Sequence, residues 1–135
     1  MDLVGDGERA DGLSDTTGHG TAIAGQIAAQ PVDGSGVVGL APDARLLSVR
    51  VFRSNQQQDK DKGFGPTSQR IADGIHWAAD NGADIINVSI SQETDSPDLR
   101  AAVEHASAVG ALVVASGGLS LIHISEPHET LRYLV

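Results

Sequence analysis

The most constraining feature of this 135-residue chain is an alternation, between Ala44 and Ser116, of short apolar runs with segments that have helical apolar spacing. Strands that alternate with helices are typical of βαβ units, whose strands form a parallel sheet. We therefore predict an α/β fold. The predicted strands are residues 46–52, 85–90 and 111–115, and the predicted helices run from Ile71 to Gly82 and from Ser96 to Gly110.

The two predicted helices carry local end signals. Ser96 is a favoured N-cap residue, and Pro97 fits the first helical position because the N–H that proline lacks has no helical partner there. Gly82 suits the left-handed conformation that often ends a helix. His76 and His105 lie inside these helices, and we interpret both as surface or packing residues, away from any acidic or histidine cluster. The polar patch 56–62 is interpreted as a solvated loop.

Composition excludes several classes of partner and site. The net charge of −9 argues against nucleic acid or an anionic membrane as a partner, since both require a basic face. The absence of cysteine excludes disulfides and thiolate metal sites. No apolar run approaches the ~18 residues of a membrane span, and residues 1–7 have neither the basic nor the apolar part of a signal peptide. The sequence gives no indication of oligomeric state.

A histidine between two glycines is the strongest candidate for a catalytic residue. His19 lies between Gly18 and Gly20 at the start of an Ala- and Gly-rich segment that is predicted to be helical. A general base must be held on a rigid element with its ring open to the reacting group, and this arrangement meets both needs. The alternative is the phosphate-binding G-x-G-x-x-G loop of a nucleotide-binding α/β domain. That loop would require glycine where Ile23 stands, and a strand before it that the sequence does not predict.

The segment from Gly18 to Gly25, GHGTAIAG, resembles the histidine motif of the subtilase serine proteases, peptidase family S8. Further blocks resemble the same family in the same order, so the resemblance covers residues 14–118. It implies a three-layer subtilisin-like fold, with a parallel sheet flanked by helices, that is incomplete in this chain. Within the family, the segment 71–83 looks closest to the mycosin-type proteases. The further blocks are residues 36–51, 83–91 and 111–118.

The resemblance implies roles for individual residues. His19 would be the general base of a serine endopeptidase that acts on peptide or protein substrates. No cofactor is implied; a structural calcium ion is an option at residues 33–36 if the complete protein supplies more ligands, because a hard cation needs six or more oxygens. The family resemblance also implies an extracellular or cell-envelope location for the full-length protein. The substrate-binding residues would be Ser89, Ile90 and Ser91 on one wall of a pocket, and Ser116, Gly117 and Gly118 on the other.

Three parts of the family's catalytic machinery have no counterpart in the sequence. No apolar strand ending in D-[ST]-G precedes His19, and Asp15 is interpreted as a solvated loop residue. The nucleophile motif G-T-S-M-A-x-P is absent, and Leu119 stands where the family has the asparagine of the oxyanion hole. We therefore expect a truncated and inactive serine endopeptidase. The alternative within the family is a pseudoprotease that still binds peptides.

The expected domain organisation is a partial subtilisin-like peptidase domain over residues 1–118, followed by a tail over residues 119–135 without family likeness. The tail from Leu119 to Pro127 resembles translated sequencing adapter. We therefore hypothesise that residues 119–135 are not native coding sequence. The alternative is a short amphipathic helix or a disordered end.

Overall fold

The structure, a computed structural model, describes residues 1–90 and 96–115. The chain divides into two compact units, Met1–Gly74 and Ile75–Val135, which we call unit 1 and unit 2. The described elements are the helices α1 (His19–Ala28), α2 (Gln57–Asp61), α3 (Ser68–Asp80) and α4 (Pro97–Ala108), and the strands β1 (Ile85–Val88) and β2 (Leu112–Ala115).

A parallel pair of strands forms the sheet of unit 2. Ile85 pairs with Leu112 at one end of the ladder and Val88 pairs with Ala115 at the other. The chain returns from β1 to β2 through α4, which packs against β2. This is the parallel βαβ arrangement that the sequence predicts.

The helices before the two strands end in the same way. Gly82 and Gly110 both have positive φ, at 80° and 93°, which a residue without a Cβ adopts at little cost. After α3, the N–H of Ala83 donates to the carbonyl of Ala78 over 3.1 Å, and after α4 the N–H of Ala111 donates to the carbonyl of Ala106 over 2.8 Å. These are Schellman motifs, so the predicted glycine end of the first helix is confirmed and the second helix ends alike.

Small side chains on α4 allow the helix to lie close to the sheet. Leu99 is 2% exposed, and Ala102 and Ala106 are completely buried, at the spacing of one helical face. The strand β1 contributes Ile86 and Val88 to the same core. Because the buried side chains alternate along β1, only one face of this strand lies in the core.

Residues 46–52, predicted as a strand, form none in the structure, so the prediction of three strands is wrong for the described residues. The segment forms an isolated parallel bridge between Arg50 and Asp2. The N–H of Leu3 donates to the carbonyl of Arg50 over 2.9 Å, and the ladder extends no further. Leu46 and Leu47 are 52% and 45% exposed. The apolar run therefore has the composition of a buried strand without a full set of pairing partners among the described residues.

The polar patch 56–62, interpreted from the sequence as a loop, contains the short helix α2, which that interpretation missed. Inside α2, the Gln57 amide donates to the Asp61 carboxylate over 2.7 Å. Arg70 of α3 contacts the chain on both sides of α2, since its Nη1 donates to the carbonyl of Val51 before α2 (3.2 Å) and to that of Gly65 after it (3.0 Å). A single guanidinium can join several carbonyls because it carries five N–H donors.

Two histidines and an aspartate are in contact in unit 2. This contradicts the interpretation that His76 and His105 lie away from any acidic or histidine cluster. His105 Nε2 lies 2.6 Å from Asp80 Oδ1, and the ring centroids of His76 and His105 are 4.8 Å apart. Sequence spacing gave no sign of it, since Asp80 and His105 are 25 positions apart. The side chains of His105 and Asp80 are 35% and 60% exposed, so solvent screening keeps this contact a minor contributor to stability.

A buried arginine joins distant segments of unit 1. The Arg50 side chain is 6% exposed and makes a bidentate ion pair with Asp6, whose side chain is completely buried, over 2.8 and 2.7 Å. Its Nη1 also donates to Asp2 over 3.0 Å. Arg53 extends this cluster through Nη1, which lies 3.2 Å from the Asp6 carboxylate, and Nε, which lies 3.6 Å from Asp59. We call these five residues the arginine cluster.

The arginine cluster makes unit 1 sensitive to acid. Hydrogen bonds from Arg50 hold the pKa of Asp6 well below its usual range, although burial acts in the opposite direction. Asp6 therefore contributes stability that is fully present above the unfolded-state pKa of about 3.9, and that is lost as the pH falls from there toward the folded-state pKa.

We predict that Asp6→Asn lowers the free energy of unfolding by roughly 3–5 kcal/mol at neutral pH, because Arg50 stays buried without its bidentate partner. We also expect the variant to lose less additional stability than the wild type between pH 5 and pH 2, an interval set by the ~3.9 reference value. Urea unfolding followed by circular dichroism across this range measures both effects. Asp43→Asn, at an exposed position of the same unit, is the control. An unchanged acid dependence in Asp6→Asn would contradict the assignment.

Candidate functional site

His19 is the first residue of α1 and is exposed. The residue before it, Gly18, has a φ of 79°, a left-handed conformation that other residues adopt only with strain. The glycine therefore permits the turn that leads directly into the helix. The imidazole lies at a helix start with open access, as the sequence predicts for this residue.

Asp15 binds the start of α1 from the turn before it. Its Oδ1 accepts hydrogen bonds from the N–H groups of Thr17 (3.1 Å) and Gly18 (2.8 Å). Its Oδ2 accepts from both the N–H and the hydroxyl of Thr21, each over 2.7 Å. The N-cap position itself is Gly18, which has no side chain, so Asp15 supplies the acceptors from three residues further upstream.

These contacts define what Asp15 does. Hydrogen bonds, above all from the Thr21 hydroxyl, hold the pKa of Asp15 well below its usual range. A carboxylate is favoured at this place because the N-terminus of a helix carries partial positive charge. Both carboxylate oxygens already serve the turn and the helix, so Asp15 is not arranged as the carboxylate that orients the imidazole of His19. Its interpretation as merely a solvated loop residue is replaced by a capping role.

The opposite end of α1 is closed by a second backbone segment. The N–H groups of Gly39, Leu40 and Ala41 donate to carbonyls of the last turn and the residue after it, over 2.8 to 3.0 Å. A Cβ at Gly39 would lie 2.5 Å from the backbone nitrogen of Ala29. Only glycine lets the two segments of the chain approach this closely. Sequence reasoning placed Gly39 in a family block without finding this role, because the clash depends on a non-local approach.

Hydrogen bonds at its ends, rather than burial, hold α1 in place. No residue of α1 is fully buried, and its apolar side chains Ile23 and Ile27 are half-buried. Most helices in proteins are stabilised by packing of an apolar face. In α1, the Asp15 carboxylate at one end and the segment 39–41 at the other therefore matter more than they would for a buried helix.

The remaining predicted site residues lie in unit 2 or outside the described residues. Ser89 and Ile90 follow β1 and are half-buried, and the Ser89 hydroxyl accepts a hydrogen bond from the Asn87 amide over 2.8 Å. His19 belongs to unit 1. The other predicted pocket residues, Ser91, Ser116, Gly117 and Gly118, lie outside the described residues.

The described residues contain neither a cluster of metal-binding side chains nor a membrane-spanning helix. Within residues 1–90 and 96–115, no three His, Asp or Glu side chains are grouped so as to hold a metal ion. No described helix combines the length and the apolar character needed to cross a bilayer.

We predict that Asp15→Asn destabilises the start of α1 by about 1 kcal/mol, the usual scale for a lost N-cap acceptor. An amide offers one acceptor oxygen in place of two, so the donors of the turn and those of Thr21 cannot both be satisfied. Hydrogen exchange should accelerate at the amides of Gly18 and Thr21, as measured by NMR. Asp33→Asn is the control in an exposed loop. Exchange at wild-type rates in Asp15→Asn would show that the carboxylate does not hold the helix.

Comparison with known proteins connects this geometry with one family. The family model described as the subtilase family of S8 peptidases matches residues 2–123. The chain is 40% identical over 113 residues to the major intracellular serine protease of Bacillus subtilis (strain 168), an alignment that covers 84% of this chain and 33% of that protein. It is also 40% identical over 107 residues to Subtilisin DY of Bacillus licheniformis, with coverages of 79% and 36%.

A solved structure supports the same fold. Sphericase aligns with a TM-score of 0.63 and 31% sequence identity, over 76% of this chain and 32% of that one. The chain thus spans about a third of the length of the relatives it matches. The subtilisin-like fold that the sequence implies is confirmed. With most of its residues matched by the family model, and His19 at the exposed start of α1, this chain belongs to the subtilase family.

Proposed function

We propose that this chain is part of a serine endopeptidase in which His19 is the general base. The observation that carries the proposal is the exposed histidine at the first position of α1, framed by glycines, in a chain of the subtilase family. In such an enzyme the imidazole takes the proton of a serine hydroxyl as that hydroxyl attacks the peptide carbonyl, and later gives the proton to the leaving amine. An exposed imidazole on a rigid helix start is suited to both transfers.

The other members of the catalytic triad are not supplied by candidates in this sequence. Asp15 is engaged with the turn and with Thr21, and the motif G-T-S-M-A-x-P is absent. We therefore propose that this polypeptide alone does not cleave peptides, although it carries the base. A base without its nucleophile cannot form the acyl-enzyme on which the family's chemistry depends.

Substrate binding is proposed at the end of β1. Ser89 and Ile90, which directly follow the strand, would contact an extended peptide through their backbone groups, as in β-augmentation. Ser91, Ser116, Gly117 and Gly118 would complete the pocket. The substrates proposed are peptides or proteins, and the proposed location of the full-length protein is extracellular or at the cell envelope.

The proposed base is tested by transplanting residues 15–29, the turn and α1, into a complete active relative in place of its own segment. We expect the chimera to keep peptidase activity. His19→Ala in the chimera should lower kcat by on the order of 10⁴–10⁶, because the serine loses its proton acceptor. Gln26→Ala, at an exposed position of α1, is the control. Activity that survives His19→Ala would overturn the assignment of the base.

We also predict that a fluorophosphonate, which reacts with activated serine hydroxyls, does not label the 135-residue chain. An active subtilisin in the same reaction mixture is the positive control. Stoichiometric labelling of the chain would show that a serine in it is activated, and would contradict its proposed inactivity.

A further inference from the structure

The position of His19 depends on hydrogen bonds more than on packing. The ring is exposed, its neighbours Gly18 and Gly20 add no side chains, and α1 has no fully buried residue. A base must nevertheless be held close to its reacting partner, since a displacement of about 1 Å can cost on the order of 10²-fold in rate. The turn before His19 therefore needs its own contacts with the rest of unit 1, in addition to the attachment of the other end of α1 by the segment 39–41.

The hydrogen bonds of Asp15 cannot provide that attachment. All of them end between Thr17 and Thr21, within six residues of Asp15. They join the turn, residues 15–18, to the first turn of α1 and make the two parts move together. They do not fix this body against the other segments of unit 1.

Thr16 makes the long-range contact that the turn requires. Its hydroxyl donates to the carbonyl of Arg53 over 3.2 Å, across 37 positions of sequence. The acceptor lies on a well-held segment. The N–H of Arg53 donates to the carbonyl of Phe64 over 2.8 Å, and its guanidinium lies between the carboxylates of Asp6 and Asp59. A hydroxyl bound to this carbonyl is thus tied to the arginine cluster.

We propose that Thr16 is a positioning residue for His19, and that it acts by tying the turn of residues 15–18 to the carbonyl of Arg53. The proposal rests on the proposed function, in which His19 is the base. Asp15 makes the turn and α1 one body, the segment 39–41 holds the far end of that body, and Thr16 attaches its histidine end to the arginine cluster. The buried carboxylate of Asp6 thereby supports the catalytic histidine without touching it.

The test compares variants at Thr16 in the whole chain by NMR. Thr16→Val keeps the shape of the side chain and removes the donor, whereas Thr16→Ser keeps the donor. For Thr16→Val we expect shifted imidazole resonances of His19, because the tie to the Arg53 carbonyl is lost, while the amides of Gly18 and Thr21 keep their hydrogen bonds to Asp15 and exchange at near wild-type rates. Thr16→Ser should restore wild-type values.

The control separates positioning from general loss of stability. Thr67→Val removes the hydroxyl that accepts a hydrogen bond from the Arg70 N–H at the start of α3, so it should destabilise unit 1 without moving the resonances of His19. Wild-type imidazole resonances in Thr16→Val would overturn the proposal, as would equal changes at His19 in Thr67→Val. If Thr16→Val does not fold, Thr16→Ala, which lacks the same donor and is smaller, is judged by the same criteria.

The outcome is independent of the test of function. The chimera can lose its dependence on His19 while Thr16→Val still shifts the imidazole resonances of the chain, which would refute the base and leave the tie intact. The reverse result would keep the base and remove Thr16 from its support.

Discussion

The bidentate ion pair between Arg50 and Asp6 is the interaction on which unit 1 depends. Both side chains are buried, so each needs the other to offset the loss of hydration. The pair joins the first residues of the chain to the segment around Arg50, where the backbone forms a single parallel bridge. Arg53 then extends the same charges toward α2. A small set of ionic contacts thus replaces the longer strand ladder that the apolar sequence favours.

The histidine helix shows how a site can be held with little burial. Asp15 satisfies the donors at one end of α1 and the segment 39–41 satisfies acceptors at the other end. Directional contacts of this kind fix orientation better than apolar packing, which has no preferred direction. They also leave His19 open to solvent.

Features fixed by neighbouring residues were predictable from the sequence. The start of α4 at Pro97 and the glycine after α3 follow from local backbone chemistry, and the strands β1 and β2 follow from short β-branched runs. The motif around His19 predicted the helix that begins there. The subtilase likeness and the fold were confirmed by comparison, whereas the mycosin-type likeness, the domain limits and the pocket residues stay predictions.

Features fixed by distant residues were not predictable. Residues 46–52 have strand composition, yet a strand also needs partners, and composition does not reveal whether they are present. The helix α2 was hidden because its polar sequence resembles a loop. The contact of His105 with Asp80 and the close approach at Gly39 both join positions far apart in sequence. The capping role of Asp15 had a local signal, an aspartate shortly before a helix start, and that signal was missed.

The hydrogen bond from the Gly39 N–H to the Ala29 carbonyl has a consequence for how this region tolerates insertions and deletions. It brings together the two ends of the loop formed by residues 30–38. The Gln30 amide adds a second hydrogen bond there, to the carbonyl of Pro42. The ends of such a loop can stay together when its length changes, because doubling a flexible loop costs only about 0.6 kcal/mol. Natural variation in chain length can therefore accumulate between Pro31 and Val38 while the orientation of the histidine helix is preserved.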